Sequence, residues 1–154
     1  MKTENRGASR GFTLVELILA LLIAGILAAV AAPRLIDREA FQVRGGAAEV
    51  RAALRYAQKL AMAKNREICV AVAATSLTLT VNPSLAAGAA CSQAVTRPGQ
   101  GDPYVVTLPA SAGLAPALGF RFDGQGRPSP NVNVNLTVGG TVPVLVAREV
   151  GRVQ

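Results

Sequence analysis

The chain has 154 residues, enough for one domain of ordinary size, and a formal net charge of +7. It contains no histidine and only two cysteines, which excludes Ser-His and Cys-His nucleophile pairs and a four-ligand zinc site. Hydrophobic residues make up 51% of the sequence, and they are concentrated in residues 12–32. We therefore expect one apolar anchor followed by one globular head, with no metal and no cofactor.

The chain begins with eleven polar, net-positive residues, and the apolar run starts abruptly at Phe12. In an ordinary secretory signal peptide the small-residue cleavage site follows the apolar run. Here the small residue, Gly11, precedes it. Cleavage after Gly11 would remove residues 1–11 as a leader and leave the apolar segment on the mature protein.

The apolar run is long enough to cross about 30 Å of hydrocarbon as a helix. Its single ionisable side chain is Glu16, and a lone carboxylate in a membrane helix is costly and marks a functional site by default. Cleavage after Gly11 would place a new α-amino group on Phe12, four residues away, where the same or a neighbouring subunit can offer it to Glu16. The alternative is that Glu16 extends its carboxylate to the membrane edge.

Residues 11–16, GFTLVE, with the basic leader and the apolar run, resemble the processing site of type IV pilins and type II secretion pseudopilins. The resemblance implies that a prepilin peptidase cuts after Gly11 and methylates the amino group of Phe12, and that Glu16 is the assembly carboxylate. It also implies a helix kink at Pro33. We expect a single pass through the inner membrane with a periplasmic head, then packing among other pilins in a pilus or pseudopilus.

After Pro33 an amphipathic pattern predicts that the helix continues to about Lys64. The glycine pair at 45–46 predicts a bend or local loosening. Residues 34–67 are rich in Arg and Lys, and such a surface meets anionic lipid, acidic partner subunits or nucleic acid, or is only a solvated helix face. One apolar stripe is predicted to pack on the head: Val43, Ala47, Val50, Leu54, Ala57 and Ala61. The opposite face carries Arg44, Glu49, Arg51, Arg55 and Lys59.

Beyond residue 65 the apolar period changes to that of strands. Phe120 and Phe122 should point into the core while Arg121 and Asp123 face outward. The loop expected at 82–103 contains Cys91. Predicted strands are 68–73, 77–81, 104–108, 119–122, 132–138, 142–146 and a short one at 149–153.

The fold class predicted is α+β: the type IV pilin fold, a long N-terminal helix on a small antiparallel β domain. The predicted organisation is a leader (1–11), a transmembrane or filament-core helix (12–33), an amphipathic helix (34–64) and a β-rich head (65–154).

Segments 55–59, 119–128 and 151–153 resemble the GspH/FimT group of minor pilins and pseudopilins. Segment 37–41, with the cysteine pair, is most similar to the minor pilin of the mannose-sensitive haemagglutinin (MSHA) pilus. If the head lies outside the cytoplasm, Cys69 and Cys91 are better placed for a disulfide than for two buried thiols, the alternative reading.

Three functions follow as hypotheses. The first is a minor, structural pilin of an MSHA-type pilus, and the second is a pseudopilin of a type II secretion system. The third is DNA uptake, because some FimT-like minor pilins bind DNA. Its candidate contacts are Arg121, Arg127, Arg148 and Arg152. An enzyme is not expected, since the acids are scattered and no nucleophile has a recognisable base, and no small-molecule substrate is expected either.

Overall fold

The computed structural model describes residues 12–36 and 38–154, with the side chains of the first helix described as far as residue 29. The chain divides into two compact units, of which the first ends at Arg38 and the second comprises Glu39–Gln154. Helix α1 spans Leu14–Ile36 and helix α2 spans Arg38–Lys64. The predicted helix start at Phe12 was two residues early. Asp37, within segment 37–41, lies outside the described residues.

Helix α2 buries the predicted stripe. All six of its residues are among the buried side chains: Val43, Gly46, Ala47, Val50, Ala53, Leu54, Ala57 and Ala61. Helix α2 continues through the glycine pair, and the bend or local loosening expected there remains a prediction. Gly46 lies in close contact with the head, because an added Cβ would lie 3.1 Å from Leu108 Cδ2 and 3.3 Å from Ala112 Cβ.

Two antiparallel sheets form the rest of the second unit. The strands are β1 Ile68–Ala73, β2 Ser76–Val81, β3 Gln93–Ala94, β4 Val105–Thr107, β5 Leu114–Ala115, β6 Leu118–Phe122, β7 Pro128–Ser129, β8 Val134–Val138 and β9 Val142–Val146, with a 3-10 turn at Ala110–Ala112. The larger sheet has the order β3-β2-β1-β6-β7, and β4 also pairs with β2. The smaller sheet has the order β5-β8-β9.

The longer predicted strands are confirmed with small shifts at their ends, and the short ones differ. Segment 82–103, predicted to be a loop, contains β3. Segment 149–153, predicted to be a strand, contributes only the single bridge from Val153 to Val146. Strands β5 and β7 have two residues each, so no period can show them in the sequence.

The core of the second unit lies between the buried stripe of α2 and the inner faces of both sheets. Phe120 and Phe122 point inward as predicted, with their rings 5.4 Å apart in an edge-on arrangement. Their outward neighbours Arg121 and Asp123 are half-buried. The head therefore completes its own apolar core.

Candidate assembly site and head surface

Helix α1 begins with a side-chain cap. The backbone N–H of Glu16 donates to Thr13 Oγ1 at 3.3 Å, which satisfies one of the amide groups left without a partner in a first helical turn. Thr13 and Glu16 have the spacing of a capping box, in which a Thr at the cap is followed three residues later by Glu or Gln. This role of Thr13 was not predicted, although the spacing is visible in the sequence.

The carboxylate of Glu16 lies among exposed apolar side chains. Every residue described on α1 from Phe12 to residue 29 is exposed, and Phe12 itself is 74% exposed. A helix that is apolar on all sides needs a surrounding apolar phase, either lipid or other helices. The large apolar side chains exposed there are Phe12, Leu14, Val15, Leu17, Ile18, Leu19, Leu21, Leu22, Ile23, Ile26 and Leu27.

Within the part of the chain that the structure describes, no helix is long and apolar enough to cross a membrane. Gly11, the predicted cleavage position, lies outside the described residues. Pro33 lies within the span of α1, and its kink remains a prediction.

On the head, Cys69 on β1 and Cys91 are joined by a disulfide, with their Cα atoms 6.1 Å apart. The bridge attaches the loop after β2 to the outer face of the larger sheet. A second attachment is polar. Glu67 Oε2 accepts hydrogen bonds from Asn82 Nδ2 at 3.0 Å and from the Gly88 N–H at 2.9 Å.

Arg121 completes this cluster, with its Nη1 3.1 Å from Glu67 Oε2. Burial of the Glu67 carboxyl opposes its ionisation, but the hydrogen bonds from Asn82, Gly88 and Arg121 and the charge of Arg121 outweigh burial. The pKa of Glu67 is therefore lowered from its ordinary value of 4.5. Glu67 and Asn82 attach the loop after β2 to the larger sheet, and no sequence pattern indicated this role. Asn82 is fully buried.

The four arginines considered for DNA contact have different surroundings. Arg121 is paired with Glu67, and Arg127 Nε lies 3.2 Å from Asp123 Oδ2. Arg148 and Arg152 are exposed near the end of the chain. Two of the four are thus engaged with carboxylates of the same chain, which reduces the charge they offer to phosphate.

Gln58 on α2 has a role that was not predicted from the sequence. Its Nε2 donates to the carbonyl oxygens of Val150 at 2.7 Å and Gly126 at 3.1 Å. One amide thus ties the helix to the turn before β7 and to the C-terminal turn. Nothing in the pattern of α2 distinguishes Gln58 from a solvent-exposed glutamine.

An aromatic pair missed in the sequence also lies on the head. The rings of Tyr56 and Tyr104 stack at 5.2 Å, and the Arg97 guanidinium lies 5.2 Å from the centre of the Tyr104 ring. Tyr104 therefore has one stacking partner from α2 and one cationic partner from the loop before β4.

Comparison with known proteins agrees with both parts of the chain. Residues 6–32 match the family described as the prokaryotic N-terminal methylation motif. The structure is similar to a crystal structure of the type IV minor pilin FimU of Pseudomonas aeruginosa PAO1 in space group P21, with a TM-score of 0.54 and 18% identity over 75% of this chain and 89% of that chain. The P65 form of FimU gives a TM-score of 0.49, 17% identity and coverage of 72% and 90%. No functionally curated protein matches the sequence.

The helical N-terminal region and the antiparallel head, together with the likeness to FimU, show the type IV pilin fold, and the predicted fold class is confirmed. Residues 6–32 therefore carry the methylation motif at the start of a chain with the type IV pilin fold.

Proposed function

We propose that the chain is a minor pilin of a type IV pilus of the MSHA kind, incorporated by helix packing after processing between Gly11 and Phe12. The observation that carries the proposal is the methylation motif over residues 6–32, at the start of a pilin fold. FimU, which shares the fold, is a type IV minor pilin. Before assembly, residues 12–33 hold the chain in the inner membrane and the head lies in the periplasm.

The exposed apolar surface of α1 supports incorporation by helix packing. Burying one Leu or Ile side chain fully contributes about 1.5–3 kcal/mol. Lipid covers this apolar surface before assembly, and neighbouring helices cover it in the filament. Since apolar packing alone does not fix the axial register of one helix against another, a polar contact has to. The methylated amine of Phe12 from one subunit and Glu16 of the next form that contact in this proposal.

Mass spectrometry of the protein from cells with active prepilin peptidase tests the processing. The expected mass lacks residues 1–11 and includes one methyl group on Phe12. An intact Met1 start would refute the proposal. A non-reducing digest of the same sample should contain the peptides of Cys69 and Cys91 joined, since the periplasm is an oxidising compartment.

The role of Glu16 is tested by two substitutions, because the capping box offers a competing explanation. Glu16→Ala removes both the charge and the capping side chain, whereas Glu16→Gln keeps a capping residue and removes only the charge. We expect both variants to insert into the membrane and both to be about tenfold or more depleted from sheared filaments, as measured by immunoblot. Normal incorporation of Glu16→Gln would assign Glu16 to capping and reject the amine contact.

The MSHA assignment is distinguished from a type II secretion pseudopilin by a deletion strain. We expect loss of surface filaments and normal secretion of folded proteins. Loss of secretion with intact filaments would favour the pseudopilin.

DNA uptake is the remaining alternative, and the ion pairs of Arg121 and Arg127 weigh against it. Strong retardation of duplex DNA at low salt, reduced by Arg148→Ala or Arg152→Ala, would restore it.

A further inference from the structure

Helix α2 carries a row of cations along one side. The row consists of Arg44, Arg55 and Lys59, which are exposed, and Arg51, which is half-buried. At 3.6 residues per turn these four positions fall within an arc of about 80°, and the row is about 22 Å long. The acids of the helix, Glu39 and Glu49, fall outside this arc. We call these four residues, with Arg152 beside them, the basic row.

The head holds part of the basic row in place. Arg51 Nη2 donates to the Pro143 carbonyl oxygen at 2.8 Å, and Arg55 Nη2 donates to the Val153 carbonyl oxygen at 3.3 Å. The row therefore lies along the seam between α2 and the β9 side of the head. The two guanidinium groups are ordered before any partner arrives, which lowers the entropy lost on binding.

The spacing of the row works against the stability of the isolated helix. Residues 51, 55 and 59 are successive i,i+4 neighbours, and like charges at this spacing destabilise a helix by about 0.2–0.5 kcal/mol per pair. Within the described residues, no carboxylate is paired with any member of the row. An acidic partner would relieve this repulsion, whereas solvent only screens it.

Open grooves lie at both ends of the row. At the C-terminal end a groove of about 610 Å³ is lined by Arg55, Gln58, Lys59, Arg152, Val153 and Gln154. At the N-terminal end a groove of about 430 Å³ is lined in part by Arg44, Ser111 and Thr141, with Glu39 at its margin outside the row. The row thus has space for an elongated partner alongside α2. Between the cations the exposed face carries Ala48 and Ala52, whose small side chains let a second helix approach.

A second copy of this chain does not supply the complementary acids. In the second unit, Glu67 and Asp123 are engaged with Arg121 and Arg127. The other acids there occur singly: Glu39, Glu49, Asp102 and Glu149. No two of these four have i,i+4 spacing, so this part of a second copy presents no acidic row along a helix.

We propose that the basic row docks the acidic face of a helix from a different pilin-like subunit, which carries carboxylates at i,i+4 spacing. Successive i,i+4 positions rise about 6 Å on both helices, so charges pair along the row. Protein fits better than nucleic acid, because Tyr56 and Tyr104 stack on one another. The exposed ring on this face of α2, Phe41 at 79%, is a single ring and not a platform for successive bases. The inference rests on the proposed function and adds the chemistry of the neighbouring subunit.

The test in cells compares two double variants of equal charge change. Arg44→Glu with Lys59→Glu reverses two cations of the row whose side chains make no hydrogen bond within the described structure. Lys64→Glu with Arg148→Glu reverses two exposed cations outside it. We expect the row variant to be about tenfold depleted from sheared filaments relative to the control variant, with both retaining the wild-type melting temperature within a few degrees.

The outcomes separate this inference from the proposed function. Absence of the wild-type chain from filaments would refute the proposed function. Incorporation of the wild type, the row variant and the control variant to the same extent would refute the docking proposal and leave the proposed function standing. Equal depletion of both variants would also refute it, because general positive charge would then be responsible.

A binding measurement identifies the chemistry of the partner. The probe is a synthetic helical peptide with glutamate at every fourth position, titrated against the full-length chain in detergent micelles at two salt concentrations. We expect salt-sensitive binding that weakens about tenfold in the row variant, and no binding of the glutamine analogue. Tighter, row-dependent binding of duplex DNA or of phosphatidylglycerol vesicles would overturn the assignment to a protein partner.

Discussion

The same types of apolar residue are exposed on α1 and buried along one stripe of α2. On α1 every described side chain is exposed, including Leu14 at 74% and Leu21 at 66%. On α2 a single stripe is buried and Leu54 is fully covered. Helix α2 finds its apolar partner within its own chain, whereas α1 must find one outside it. The second unit therefore completes its own apolar core, whereas the described side chains of α1 leave their apolar surface uncovered.

The strongest challenge to this contrast is a pair of truncations. Phe122→Ala removes a fully buried ring from the head and should lower the free energy of unfolding by about 3–5 kcal/mol. Leu22→Ala on α1 should change it by less than about 0.5 kcal/mol, because Leu22 is 60% exposed. Urea unfolding of the full chain in detergent, followed by tyrosine fluorescence, measures both, since both tyrosines lie in the second unit. Similar losses for the two variants would contradict the division.

A smaller effect is expected at a backbone contact inside the head. Gly151 has φ of +63°, and an added Cβ would overlap the carbonyl oxygen of Gly126. Gly140 has φ of +69° with nothing within 4 Å of an added Cβ. Both Gly→Ala changes incur about 1–2 kcal/mol for the left-handed conformation. Gly151→Ala should lose roughly 1–3 kcal/mol more, because the Gln58 attachment has to move. Equal melting temperatures for the two variants would show that this contact is not tight.

The smallest effect concerns pH and the polar cluster around Glu67. Because the pKa of Glu67 is lower in the folded head than in the unfolded chain, its ionised form stabilises the fold above its ordinary value of 4.5. That contribution is lost as the pH falls through the lower, folded value. We expect Glu67→Gln to be less stable than wild type by roughly 1–3 kcal/mol at pH 7.

The matching control is the same pair of proteins in acid. Once the wild-type Glu67 carboxyl is protonated, urea unfolding should no longer separate it from the variant. A difference that persists unchanged below the folded pKa would assign the effect to shape and hydrogen bonding rather than to charge.

Much of the molecule was predictable because its signals are local. The apolar run, Glu16 and the methylation motif are contiguous in the sequence. The apolar period of 3.6 residues predicted the buried stripe of α2 correctly. The capping role of Thr13 was present in the sequence as well, as a Thr followed three residues later by Glu. Because helix geometry is regular, the spacing of apolar residues in the sequence indicates which face of the helix is buried.

The remaining features of the fold depend on tertiary contacts between segments that are far apart in the sequence. Strands β3, β5 and β7 have two residues each and exist only because a neighbouring strand pairs with them. The close contact of Gly46 with Leu108 and Ala112 depends on segments far from it in the chain. The contacts of Gln58 join residues 68 and 92 positions apart. Such contacts depend on distances through space between segments remote in the chain, which no local period encodes.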